Sequence, residues 1–275
     1  MKDNLPKFET KEELYDYLIE NKEDLIYAKK AETKFEDSLG DYSINYVQSD
    51  FSKGEIGFVT IKNTDGEVTE IEVRSIINTT NYLDSHGDVH IPGLWNRSVK
   101  NNTNIKMLQE HQMRFDKVIA DKDDLDVSLK EYEWKDLGYN VEGKTQALVF
   151  DATVKESRNQ FMFNQYKNGN VDQHSVGMRY VQIKLAVNSD KDSHKNEKEV
   201  WDKYYSDIAN KEEVEKAGHF WAVIEAKAIE GSAVLLGSNQ ITPTLARSNK
   251  EHQEGEQTPP DNESQEQKFI NKLKS

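Results

Sequence analysis

At 275 residues the chain can hold one generous domain with appendages; with 35% hydrophobic and 31% charged residues, a good part of it must be solvated loop or tail. A formal net charge of −14 argues against nucleic acid as the main partner and against docking on anionic membranes, because both are held by Lys and Arg. The absence of cysteine excludes disulfide frameworks, thiolate zinc sites and cysteine nucleophiles.

The first ten residues are polar and charged, with no secretory signal among them, and no apolar run approaches the roughly 18 to 20 residues of a membrane span. A soluble, intracellular protein is expected. Thr10 followed by Glu13 is a capping-box signature, and Leu14, Tyr17, Leu18 and Leu25 then recur at helical spacing. Lys29, Lys30 and Lys34 near the end complement the helix dipole. Residues 1–54 therefore read as an N-terminal helical extension built on one amphipathic helix.

From about residue 56 the apolar period becomes two. Gly57-Phe58-Val59-Thr60-Ile61 and Glu70-Ile71-Glu72-Val73 flank Asn63-Thr64-Asp65-Gly66, whose Asp-Gly pair signals a hairpin turn. Further strand-like runs are Ser75-Ile76-Ile77-Asn78, Lys117-Val118-Ile119, Gln146-Ala147-Leu148-Val149-Phe150 and 176–187. Residues 158–167 read as a short helix stopped at Gly169. Residues 188–218 are crowded with charge and read as a loop and a surface helix inserted between two core strands, before 219–236 returns to strand character. The fold class is α+β, with a β-barrel-like core over 55–246 surrounded by helices. Residues 247–275, rich in Glu, Gln, Asn and Ser, read as a disordered tail, with 267–273 able to form a terminal helix.

With cysteine absent, nucleophilic catalysis falls most naturally to Ser or Thr activated by His. Of seven His, His194 and His252 lie in the charged insertion and the tail and read as solvated, and His219 reads as a packing or edge residue. Asp84, His86, Asp88 and His90 could hold a metal, but Gly87 among them points instead to a tight structural turn. His111 ends a strand-like run over 105–110. Ser175 lies just before a strand, with Gly177 two residues on, where Val176 and Gly177 could offer backbone N–H groups to an oxyanion. Locally, each of these also reads as structural. His174, directly before Ser175, either modulates it or points away.

Four segments in order resemble one family. The run 74–95 contains Asp84-Ser85-His86-Gly87-Asp88 followed by Pro92-Gly93-Leu94-Trp95, and is similar to the opening of the prohead serine proteases of tailed bacteriophages. Met107-Leu108-Gln109-Glu110-His111 resembles that family's strand ending in the catalytic His. His174-Ser175-Val176-Gly177-Met178 resembles its Ser-[Ile/Val]-Gly-[aromatic/Met] nucleophile motif. Glu230-Gly231-Ser232-Ala233-Val234 resembles its late Glu-x-Ser-x-Val strand, and Asn239 and Thr242 fall where the family carries Asn and small residues.

The resemblance covers about residues 74–246. It implies the fold of the herpesvirus assembly proteases and the chain order His, Ser, then a third group. It also implies acyl transfer to Ser175 with His111 as general base, and no cofactor. Glu230 is the first choice for the supporting carboxylate, because it occupies the family's Glu-x-Ser position, and Glu225 is the second; the insertion at 188–218 departs from the family pattern by lengthening the interval after Ser175. The implied substrates are scaffold and major capsid protein extensions inside an assembling procapsid in the host cytoplasm, and a homodimer is compatible with that fold. The N-terminal helix and the 248–266 stretch are candidates for self-processing. A catalytically inactive capsid-assembly or scaffold-fusion protein, and a metal-dependent hydrolase using the 84–90 cluster, are the rival readings.

Overall fold

The computed structural model describes residues 6–35, 59–101 and 104–245. The tail, its terminal helix and the beginning of the first β run thus lie outside the described residues. Thr10 caps α1 (Lys11–Glu20), its hydroxyl accepting from Glu13 N at 3.2 Å, while the Glu13 carboxylate reaches back to Glu9 N rather than to the cap itself. The single helix expected here is in fact two. Asn21 interrupts it, its side-chain amide donating to Tyr17 O at 2.8 Å, and α2 (Lys22–Ala31) starts afresh beyond it. A short polar side chain that hydrogen-bonds nearby backbone offers the chain an alternative to the helix. Lys34 falls outside both helices, in β1 (Lys34–Phe35).

The Asp-Gly signal places its hairpin between β2 (Val59–Lys62) and β3 (Val68–Thr79). Gly66 takes φ +83°, and Asn63 Oδ1 accepts from the amides of Asp65 and Glu67. Then follow β4 (Asp88–His90), α3 (Asn96–Asn101), β5 (Lys106–Gln109), β6 (Val118–Asp121), β7 (Leu125–Glu133), β8 (Lys144–Lys155) and α4 (Gln160–Lys167). Asn159 caps α4 through Met162 N, and Gly169 leaves it at φ +70°. The last elements are β9 (Gln173–Val187), α5 (Lys195–Tyr204), α6 (Lys211–Ala217), β10 (His219–Val234) and β11 (Thr244–Leu245).

Two sheets result. The six-stranded one runs β1-β9-β10-β5-β6, with β4 also paired to β10; the five-stranded one runs β11-β3-β8-β7, with β2 beside β3. They share one core, in which Ile71, Val73 and Ile77 of β3 and Phe150 of β8 meet Val176 and Met178 of β9 and Ala228 of β10. Gly231 marks how closely they approach, since a Cβ there would stand 2.6 Å from the Phe150 ring and 2.9 Å from Ile77. The architecture is α+β. Among the described residues the sheets do not close into a barrel, because the edge strands β6 and β7 pair with no further strand. The barrel-like core expected from sequence is here a pair of packed sheets.

The charged insertion also differs from its sequence reading. It folds as two helices, and Trp201, Ile208 and Val214 form a second core with Leu83, Val89, Ile91 and Phe220. His194, expected in solvent, is buried between Ser189 Oγ at 2.9 Å and Asp16 Oδ1 at 2.7 Å. The N-terminal helices belong to the main core too, α1 through the buried Tyr15 and Leu18 and α2 through the partly buried Leu25 and Ile26 packed against it.

Candidate active site

The strand pair β9–β10 sets the site. Antiparallel register puts Ser175 opposite Ser232 and Gly177 opposite Glu230, so alternation presents all four on one face. β5 runs parallel to β10 on its other side, ending with Gln109 beside Ala233. A continuing strand would carry residue 111 beyond the sheet. Instead Glu110 and His111 both adopt left-handed backbone, φ +51° and +56°, and the chain turns back toward β6, which pairs antiparallel with β5. Such conformations cost roughly 1–2 kcal/mol per non-glycine residue, so they persist only where neighbours hold them. Three bonds do so: Glu110 N to Ala233 O, His111 N to Ser232 Oγ and Gln112 N to Gln109 O, each 3.0 Å.

The imidazole of His111 then lies between two partners. Nδ1 is 2.6 Å from Glu230 Oε1, and Nε2 is 2.9 Å from Ser175 Oγ. A carboxylate oxygen only accepts, so Nδ1 carries the hydrogen and Nε2 is left to accept the Ser175 hydroxyl proton. This is the tautomer a general base needs. Glu230 Oε2 accepts from Ser232 Oγ at 2.6 Å, so both carboxylate oxygens are engaged. Ser175 and Ser232 are 0% exposed and Glu230 is 1% exposed, which places these charge-assisted bonds in a poorly screened setting.

The sequence left two carboxylates open, and the fold separates them. Glu225 lies near the surface and meets Arg97 at 3.2 Å, whereas Glu230 meets His111. Val176 turns its side chain into the main core. Gly177 has a strand partner on either side, Phe35 and Glu230. A Cβ on it would collide with the Glu230 carboxylate, so the glycine makes room for the acid that holds His111.

His174 points to the opposite face from Ser175. Its Nδ1 donates to Thr242 O and its Nε2 accepts from Tyr166 Oη, both at 3.0 Å. Burial lowers its pKa to about 4, so the ring is neutral and structural. Thr242 Oγ1 donates to His174 O, and Asn239 is tied to Thr79 through both its side-chain atoms; together they fasten the segment after β10 against β9 and β3.

The 84–90 cluster is a tight turn. Asp84 Oδ1 accepts from His86 N and Asp88 N, and Gly87 N reaches Asp84 O. Asp88 is occupied by Lys29 Nζ at 2.5 Å and Tyr180 Oη at 2.6 Å, and His90 Nδ1 meets Asn78 Nδ2. Burial opposes ionisation of Asp88, but the charge and hydrogen bond of Lys29, with the Tyr180 hydroxyl, hold it below its usual range. Asp84 feels the charge of Lys29 only at a distance, and burial together with the charge of Asp88 pushes it up to about 8. Among the described residues no group of three or more His, Asp or Glu is arranged to hold a metal ion.

Ser232 is the member of the site whose role the sequence reading left blank. The available signal was alternation: two residues beyond Glu230 on one strand, it must share its face. No family model, curated protein or solved structure matches this chain.

Proposed function

We propose that this chain is a serine endopeptidase acting in prohead maturation, with Ser175 as nucleophile, His111 as base and then acid, and Glu230 as the carboxylate behind it. The observation that carries the reading is the continuous chain Ser175 Oγ, His111 Nε2, His111 Nδ1, Glu230 Oε1, with links of 2.9 and 2.6 Å. Ser175 Oγ attacks the scissile carbonyl carbon as its proton passes to His111 Nε2. Glu230 stabilises the imidazolium, which gives the proton to the departing amine; water then repeats the sequence on the acyl-enzyme. The Val176 and Gly177 amides, expected from sequence as the oxyanion donors, lie inside β9, where consecutive N–H groups point to opposite edges of the strand, so they do not both face one oxyanion.

The resemblance of the four motifs supports the narrower terms: a herpesvirus-assembly-protease-like fold, scaffold and capsid-protein extensions as substrates, self-processing, and work inside an assembling procapsid in the host cytoplasm. The order His111, Ser175, Glu230 along the chain supports it further. The burial of Ser175 favours a second reading, a capsid-assembly protein that keeps the fold without turnover. Under the protease reading, the same burial means that a substrate must first displace what lies over the hydroxyl.

One experiment separates the two readings. A capsid precursor is co-expressed with wild type or with Ser175→Ala, and the products are mapped by mass spectrometry. Cleavage by wild type alone is expected. A precursor left intact by both chains, or cut equally by both, sinks the protease reading.

A further inference from the structure

We infer that Ser232 is a positioning residue of this site, holding the Glu230 carboxylate and the His111 backbone at once; the inference rests on the serine-hydrolase reading above. A hydroxyl has one hydrogen to give and two lone pairs to accept with. The His111 N–H can only donate, and it points at Ser232 Oγ from 3.0 Å. The Ser232 hydrogen is therefore committed to Glu230 Oε2, 2.6 Å away. Each bond strengthens the other, because an oxygen that accepts becomes a better donor.

The consequence is geometric. Glu230 would otherwise be free to rotate about its terminal torsion, which is broad and roughly two-fold. With Oε2 tied to Ser232, Oε1 faces His111 Nδ1. The same hydroxyl holds residue 111 at φ +56°, a conformation that a non-glycine residue does not keep unaided. Ser232 is fully buried and lies opposite Ser175 across the strand pair, so nucleophile, base, acid and tether are referenced to one short stretch of sheet. The hydroxyl touches no reacting atom and acts only through Glu230 and His111.

The test compares Ser232→Ala and Ser232→Thr with wild type, using p-nitrophenyl acetate as the ester probe. In parallel, the low-field proton resonance of the His111 Nδ1–H is recorded in a Ser175→Ala background. For Ser232→Ala, kcat is expected to fall about 10- to 100-fold with KM changed less than about two-fold. The resonance should move upfield or vanish by exchange with water, and Ser232→Thr, which keeps the hydroxyl, should restore it. An unmoved resonance in Ser232→Ala overturns the inference. So does a loss shared equally by the Ala and Thr variants, since packing rather than the hydroxyl would then hold the site. If wild type fails to hydrolyse the ester, the serine-hydrolase reading is the one that fails, and the resonance still decides the role of Ser232.

Discussion

At the scale of single residues, the site depends on which atom holds a hydrogen. Glu230→Gln keeps the shape of the side chain but can present an amide N–H to His111 Nδ1, which favours the tautomer with hydrogen on Nε2 and removes the acceptor for Ser175. A carboxylate-to-amide change of this kind costs about 10⁴ in kcat in a well-studied serine protease triad. A loss of about 10³ to 10⁴ is expected here, measured on the mapped cleavage site, while Glu225→Gln stays within about two-fold. Equal losses for the two variants would remove Glu230 from the proposed triad. The resemblance ranks Glu230 first, but strand alternation alone cannot choose between them, for a physical reason. Strand alternation puts residues an odd number apart on opposite faces, but β10 has register shifts at 223/225, 225/226 and 228/230 that reset the parity. Beyond the last shift the pattern runs regularly again, and there Glu230 and Ser232 stand in phase.

At the scale of elements, β9 is held in place from behind by the His174 ring, and that support is sensitive to pH. The folded chain lowers the His174 pKa to about 4 by burial, from an ordinary value of 6.5. Between those values the unfolded chain binds more protons than the folded one, so stability rises with pH across the window and is lost as pH falls from about 6.5 to 4. A difference of that size is worth about 3 kcal/mol. His90, also lowered to about 4 by burial, titrates in the same window. Urea unfolding of wild type and His174→Asn at pH 7 and pH 4.5 should therefore show a smaller pH dependence in the variant, with the His90 share remaining. An unchanged slope would mean that His174 is not buried in its neutral form. The sequence marked His174 only as an oddity beside the nucleophile, because its partners Tyr166 and Thr242 come from α4 and from the segment after β10. Thr242 in particular is 68 residues away, and a partner at that range leaves no local trace. The β2–β3 hairpin was legible for the opposite reason, its turn being fixed by Asn63 and Gly66 within the turn itself.

For the whole molecule, the described N-terminal residues are integral to the fold. The sequence pattern shows an amphipathic face on residues 11–31 but not what covers it, and a helix that packs on its own domain has the same pattern as one that docks on a partner. In the structure Tyr15 and Leu18 enter the core that contains Val176 and Met178 of β9, the strand that carries Ser175. Lys29 pairs with the fully buried Asp88 and lies over the Trp221 ring. Deleting residues 1–32 would remove two large apolar side chains, each worth about 1.5–3 kcal/mol when buried. It would also strand the Asp88 charge, a loss of about 3–5 kcal/mol when one partner of a buried pair is removed. Together these losses amount to roughly the whole stability of an ordinary domain, 5–15 kcal/mol. The truncated chain is therefore expected to lose its cooperative thermal transition in circular dichroism, and adding Asp88→Asn to it should recover part of the loss. A truncated chain that melts like the full one would show that the helices are dispensable. In the proposed maturation role, that result would return them to the candidates for self-removal; cooperative loss would instead make an intact N-terminal region a condition for assembling Ser175, His111 and Glu230.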